Sequence, residues 1–245
     1  MSVLREGCSP VFLKGVKGVS PAMRWLRNEV ETAALLPGLA PDVLFHEDID
    51  DWLIVGFAHV AGRPAKLGPG SPDLPAVASA LNRIGAVEAP RLRSLTDRWR
   101  ARWWQRIAEA QPDLLGGVDL ARLTAWEEKA PDLLAGSCLL HTDLHSDQFL
   151  LGDDGDVHVV DWGWPASGAA WVDPAFMVVR LVGAGHAPAE AEAWASAHTH
   201  WASAPPESVT AFAVYVAGLW TGKAASGSLA RLARDYARRR LALTG

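Results

Sequence analysis

The sequence predicts an α+β fold, with a short β-rich beginning and a mainly helical remainder. Three observations predict it. Residues 10–57 alternate strand-like apolar runs with one amphipathic helix. A Pro/Gly-rich stretch, GRPAKLGPGSPDLP from Gly62 to Pro75, punctuates the chain. Beyond it the period is helical, except for a β-rich island from Cys138 to Asp161.

Pro10 to Val16 is an apolar, β-rich run that holds one lysine, Lys14. Pro21 to Leu36 reads as a helix. Met23, Leu26, Val30 and Ala33 recur every three or four residues, Pro21 suits the first turn, and Pro37-Gly38 stops it. Val43 to Phe45 and Trp52 to Phe57 flank the acidic segment Glu47 to Asp51, a pattern that suits an antiparallel pair. Asp73 and Pro75 open a helix carrying Val77, Leu81 and Ile84. A longer helix is expected from about Ser94 to Ala110, with Trp99, Trp103 and Ile107 on one face. Four more helical segments fill the last seventy-five residues. Tryptophans at helical spacing read as core; a few could line an apolar or cationic pocket. The Arg-rich segment from Arg231 to Arg240 reads as a solvated helix face.

Composition narrows the function. The 245 residues suffice for a buried core without staples. A net charge of −5 argues against a dedicated nucleic-acid binder. Two cysteines, Cys8 and Cys138, lie far apart and suggest a reducing, cytoplasmic setting. No signal-peptide pattern opens the chain and no run of about 18 apolar residues occurs, so no membrane partner is expected. Nothing in the sequence fixes an oligomeric state.

The chemistry concentrates in the island, HTDLHSDQFLLGDDGDVHVVDWG. Asp143 and Asp161 each follow a strand-like run, and a hairpin-like segment joins them, so both can arrive at one end of a small sheet. A carboxylate, an amide five residues later (Gln148), then a second carboxylate suits a magnesium–nucleotide site. Mg²⁺ prefers oxygen ligands, one or two from side chains and the rest from phosphates and water. The first carboxylate stays available to orient a hydroxyl.

At these residues the sequence resembles the aminoglycoside phosphotransferase and choline kinase-like family, small-molecule relatives of the protein kinases. His141-Thr142-Asp143 and Asp161-Trp162-Gly163 match its H-x-D-x-x-x-x-N and D-[FW]-[GE] motifs, and WVDPA with Asp173 resembles its later acidic stretch. GFAHVAGRP, GPGSPDLP and DWGWPASGAAWVDPA look closest to uncharacterised actinobacterial members. The resemblance runs from about Val11 to His200. It implies a protein-kinase-like bilobal fold: a small lobe over 1–60, a hinge over 61–75, and a helical lobe over 76–245 with its catalytic loop at 138–163. It implies an enzyme that uses Mg²⁺ and ATP, or another nucleoside triphosphate, to phosphorylate a hydroxyl of a small molecule: an antibiotic, sugar or amino alcohol.

The resemblance also assigns roles. Asp143 would orient or deprotonate the acceptor hydroxyl. Asp161 and Gln148 would hold the metal. Lys14 would bind the phosphates with Glu29 as its helix partner, fifteen residues on. His141 would brace the loop, and Asp173 would be a structural acceptor or face the substrate side. Other readings stand beside these. Lys14 could be an ordinary edge-strand lysine, Glu31 competes with Glu29, and His145 and Asp147 read as polar loop groups.

Two departures matter. Gln148 stands where the family usually has Asn, which moves the amide oxygen by roughly 1–1.5 Å, about one carbon–carbon bond. Maltokinase-like members look like H-G-D-x-H-x-G-Q there. Only thirteen residues precede Lys14 and none forms a G-x-G-x-x-G segment, so the first strand and the glycine-rich loop are expected to be missing, with Ser2 to Glu6 supplying one strand. These departures motivate an alternative, a catalytically impaired kinase-fold binding module. A metal-dependent hydrolase built on the H-x-D-x-H-x-D run from His141 to Asp147 is a third reading.

Overall fold

The computed structural model describes residues 2–3, 9–153 and 155–244. In chain order the first elements are β1 (Ser2–Val3), β2 (Val11–Lys17), α1 (Pro21–Ala33), β3 (Val43–Ile49), β4 (Trp52–Ala58), β5 (Arg63–Pro64) and α2 (Leu74–Gly85). The middle holds α3 (Leu95–Arg98), α4 (Trp103–Ala110), α5 (Leu120–Leu133), β6 (Cys138–Leu140), β7 (Phe149–Leu151), β8 (Val157–Val159) and β9 (Ala166–Gly168). The chain closes with α6 (Val172–Gly183), α7 (Pro188–Ser196), α8 (Pro206–Ala224) and α9 (Ser228–Ala242). The α+β class read from the sequence is the observed one. Of the strand expected over Ser2 to Glu6, Ser2 and Val3 form β1; Leu4 to Glu6, like Cys8, lie outside the described residues.

The chain divides into two compact units. One comprises residues 1–87 and 141–165, the other 88–140 and 166–245. The Pro/Gly-rich stretch falls in the first. There β5 pairs with β7, and Asp73 accepts from the Arg63 guanidinium at 2.6 and 2.8 Å and from the Lys66 amide at 2.7 Å. These bonds hold the Asp73 carboxyl well below the usual carboxylate range, at about 2.

In the first unit an antiparallel sheet runs in the order β1-β2-β4-β3. Asp50 and Asp51 make the two-residue turn between β3 and β4, with Asp50 left-handed at φ 53°. Leu53, Val55 and Phe57 alternate along β4 onto one face, where Leu26 of α1 meets them, with Phe12, Val16, Met23 and Val30 at the margin. Burying a residue such as Leu26 contributes roughly 2 kcal/mol. Ser20 caps α1 by accepting from the Met23 amide at 3.3 Å, and Pro21 fits its first turn. The helix ends at Ala33, three residues before the expected Leu36, and hydrogen-bonded turns lead to Gly38 at φ 66°.

The second unit is built around α8, whose residues Ser208 to Gly218 are all buried. Trp99 stacks flat on Tyr215, ring centroids 4.3 Å apart, and Phe176 meets Phe212 edge-on. The single helix expected from Ser94 to Ala110 is broken into α3 and α4. Trp99 and Arg102 leave helical backbone, at ψ 62° and 80°, and the Glu127 carboxylate accepts from the Trp103 amide at 2.9 Å, starting α4 anew. The Arg-rich α9 is not wholly a solvated face. Arg240 is buried, 3.2 Å from Glu192 Oε1 and 2.9 Å from the Pro206 carbonyl. No helix among the described residues is long and apolar enough to cross a membrane.

Candidate active site

Register decides where Lys14 points. It pairs with Val55 in the β2–β4 ladder, and paired residues share a face. Val55 belongs to the core face, so Lys14 stands in an apolar alternation between Phe12 and Val16. A lysine there needs an anionic partner. Leu26, Glu29 and Val30 share one side of α1, and Glu29 meets Lys14 Nζ with both carboxylate oxygens, at 2.8 and 2.7 Å. Glu31 is exposed. Burial pushes the Glu29 carboxyl above its ordinary value, opposed by the charge and hydrogen bond of Lys14. Lys14 Nζ also lies 3.3 Å from Asp161 Oδ1.

The loop after β6 carries Asp143, and the segment after β8 carries Asp161. β7 and β8 form the expected hairpin, joined by β5. The strand before Asp143 does not share that sheet, because β6 pairs with β9 instead. The two carboxylates are gathered by His141 rather than by a common sheet edge. His141 is fully buried, and its Nε2 donates to the Val160 carbonyl at 3.0 Å. A carbonyl can only accept, so Nδ1 is the unprotonated nitrogen, and it receives the Asp143 amide at 3.4 Å. Burial pushes the imidazole below its ordinary value, while Asp143 and Asp161 both pull it up. Its ring packs against Trp162 at 4.5 Å between centroids.

Two residues other than glycine are left-handed here, Thr142 at φ 67° and Asp161 at φ 66°. For a β-branched threonine that backbone is strained, and such strain persists only where the surroundings over-determine it. Thr142 Oγ1 donates to the Trp164 carbonyl at 2.7 Å. Trp162 Nε1 donates to the Val159 carbonyl at 2.8 Å.

Gln148 ends a short 3₁₀ turn and is buried. Its carbonyl accepts from the Val160 amide at 2.9 Å, which sets it across from the residue preceding Asp161. Its side-chain Oε1 is buried without a hydrogen-bond partner. An orphaned acceptor oxygen costs about 1–3 kcal/mol, and an oxygen-seeking cation would satisfy it. Gln148 Oε1 and the Asp161 carboxylate are both oxygen donors of the kind magnesium takes.

A cavity of about 250 Å³ opens beside these groups. Phe12, Phe57, Val60 and Leu150 give it an apolar lining, and Lys14, Glu29 and Asp161 also border it. Asp173 lies in the other unit, buried in the first turn of α6. Among the described residues no three or more His, Cys, Asp or Glu side chains gather as a metal-holding group. In the H-x-D-x-H-x-D run, the His141 nitrogens face the Val160 carbonyl and Asp143 amide, and His145 Nδ1 accepts from the Asp147 amide at 3.3 Å. The sequence motif includes Thr142 without giving it a role, and it leaves Asn28 and the Trp25–Trp164 contact unmarked. The one local hint was asparagine inside a helix, where its propensity is poor.

No family model matches the chain, and no curated protein matches it. Solved structures do match. A thermostable mutant of aminoglycoside phosphotransferase APH(4)-Ia, in its apo form, aligns with TM-score 0.66 and 14% identity over 100% of this chain and 90% of its own. The spectinomycin phosphotransferase APH(9)-Ia, in complex with ADP and spectinomycin, aligns at TM-score 0.62 and 12% identity over 97% and 84%. APH(3'')-Id from Streptomyces rimosus, in complex with ADP and streptomycin, aligns at 0.61 and 18% over 85% and 86%. The protein thus has the kinase-like α+β fold. More narrowly, it has the fold of the aminoglycoside phosphotransferases.

Proposed function

We propose that the protein is a phosphotransferase of the aminoglycoside phosphotransferase and choline kinase-like family. It would move the γ-phosphoryl group of ATP, or of another nucleoside triphosphate, to a hydroxyl of an antibiotic, sugar or amino alcohol. One observation carries the reading: Lys14 is bound by both oxygens of Glu29 and lies 3.3 Å from Asp161. A lysine drawn from a core strand by a helix carboxylate, beside a second carboxylate, is poised for phosphate.

Each residue then has a task. Lys14 neutralises phosphate oxygens, and Glu29 keeps its ammonium from collapsing into the sheet. Asp161 and Gln148 would hold Mg²⁺, and its charge would help to neutralise the phosphates. Asp143 orients the acceptor hydroxyl and takes its proton late, because a loose transition state asks mostly for positioning. His141, neutral and buried, braces the loop. The cavity lined by Phe12, Phe57 and Leu150 would take the flat base of the nucleotide. The division into a small lobe over 1–60, a hinge over 61–75 and a helical lobe over 76–245 belongs to the same reading, as does a cytoplasmic location, where ATP is at hand.

Gln148 in the place of Asn favours a second reading, a nucleotide-binding module without turnover. Thermal-shift titration with ATP and Mg²⁺, followed by a phosphate-transfer screen across aminoglycosides, sugars and amino alcohols, separates the two. Stabilisation together with transfer supports the kinase. Stabilisation without transfer supports the module, and neither response contradicts both.

A further inference from the structure

Helix α1 grips the metal-side loop a second time, independently of Glu29. Asn28 Nδ2 donates to the Gly163 carbonyl at 2.9 Å. Three residues earlier on α1, Trp25 packs against Trp164 with ring centroids 4.7 Å apart. Between these contacts Gly163 is buried, and a Cβ on it would come within 3.2 Å of Trp25 Cβ. Positions 25, 28 and 29 lie on one stripe of a helix. That stripe therefore meets the run from Asp161 to Trp164 at three points, counting Glu29 through Lys14.

The backbone of Asp161 explains why such a grip matters. At φ 66° it is left-handed, which costs an L-residue stability unless its surroundings hold it. Trp162 Nε1 and Thr142 Oγ1 hold the run from one side, through the Val159 and Trp164 carbonyls. Asn28 holds the carbonyl two residues after Asp161 from the helix side. Losing that donor frees the peptide to relax toward ordinary backbone and swings the carboxylate away.

We propose that Asn28 is a positioning residue, which aims the Asp161 carboxylate at the metal by fixing the Gly163 carbonyl. The inference rests on the kinase reading above. Asn28 acts through Asp161 and is not itself expected to touch substrate.

The test uses the full chain and Mn²⁺ as a paramagnetic probe. Binding of Mn²⁺–ATP is followed by electron paramagnetic resonance, and metal-free ATP binding by calorimetry in chelator. The variants are Asn28→Asp, which keeps the shape and loses the donor, Asn28→Ala, and Asn28→Gln, which keeps the amide. Asn28→Asp and Asn28→Ala are expected to weaken Mn²⁺–ATP binding at least tenfold while metal-free ATP binding stays within twofold, and Asn28→Gln to recover part of the loss. A merely structural role would lower the melting temperature and leave the ratio of the two affinities unchanged. Should Asn28→Asp fail to fold, Asn28→Ala carries the comparison. Wild-type affinity for Mn²⁺–ATP in a folded Asn28→Asp or Asn28→Ala protein overturns the inference alone. No Mn²⁺–ATP binding by the wild type overturns the kinase reading and the inference with it.

Discussion

Glu29 meets the ammonium of Lys14 with both carboxylate oxygens, at 2.8 and 2.7 Å, from a position in the second half of α1. The pair is only partly shielded: the Lys14 side chain keeps 29% exposure and the Glu29 side chain 10%. Lys14→Met should leave Glu29 with no cation, and its carboxyl, already raised by burial, should take up a proton more readily. The expected loss of stability is about 3 kcal/mol, the low end for breaking a buried pair, given the exposure of Lys14. Adding Glu29→Gln should restore part of it, which a double-mutant cycle by urea unfolding measures. Turnover should fall about 10²-fold in Lys14→Met with or without Glu29→Gln.

Gln148 should trade stability for metal binding. Its Oε1 is buried without a partner, so Gln148→Met, similar in shape and free of the amide, should raise the melting temperature of the metal-free protein. The expected gain is about 1 kcal/mol. The same change should abolish the extra stabilisation that Mg²⁺ adds to ATP in a thermal-shift titration. A Gln148→Met protein that is less stable without metal and still responds to Mg²⁺ would assign Gln148 to packing.

Glu127 gives the second unit a pH dependence of defined sign. Burial pushes its carboxyl up to about 7, against the pull of the Trp103 and Trp104 amides, and its Oε2 lies buried without a partner. The folded state holds this proton more tightly than the unfolded one. The associated stability is therefore full below about pH 4.5 and is lost as pH rises through about 7. After discounting for partial solvent screening, the loss is on the order of 2 kcal/mol. Glu127→Gln keeps an acceptor for the Trp103 amide and cannot ionise. Melting curves at pH 5 and pH 8 should differ less for this variant than for the wild type.

The parts legible in the sequence are those set by local period or short spacing. The strand alternation places Lys14 and the helix places Glu29, while their pairing, and the choice of Glu29 over Glu31, come from the family resemblance rather than from periodicity. Asp143, Gln148 and Asp161 lie within nineteen residues, in strand–turn–strand context. What stayed hidden is long-range. The Asn28–Gly163 bond joins residues 135 apart, and no periodicity marks either end. The pairing of β6 with β9 is decided by backbone partners on both sides of the hairpin. The break between α3 and α4 follows from the stacking of Trp99 on Tyr215 and the cap from Glu127, both tertiary contacts that override a helical pattern.

Transfer of labelled γ-phosphate from ATP to a hydroxyl acceptor, with wild type and Asp143→Asn side by side, tests whether Asp143 serves the acceptor. Wild type should form a phosphorylated acceptor. Asp143→Asn should fold, bind ATP with Mg²⁺ as wild type does, and lose about 10²–10⁴-fold in kcat. Turnover by Asp143→Asn at the wild-type rate would remove Asp143 from the reaction and with it the proposed phosphotransfer site.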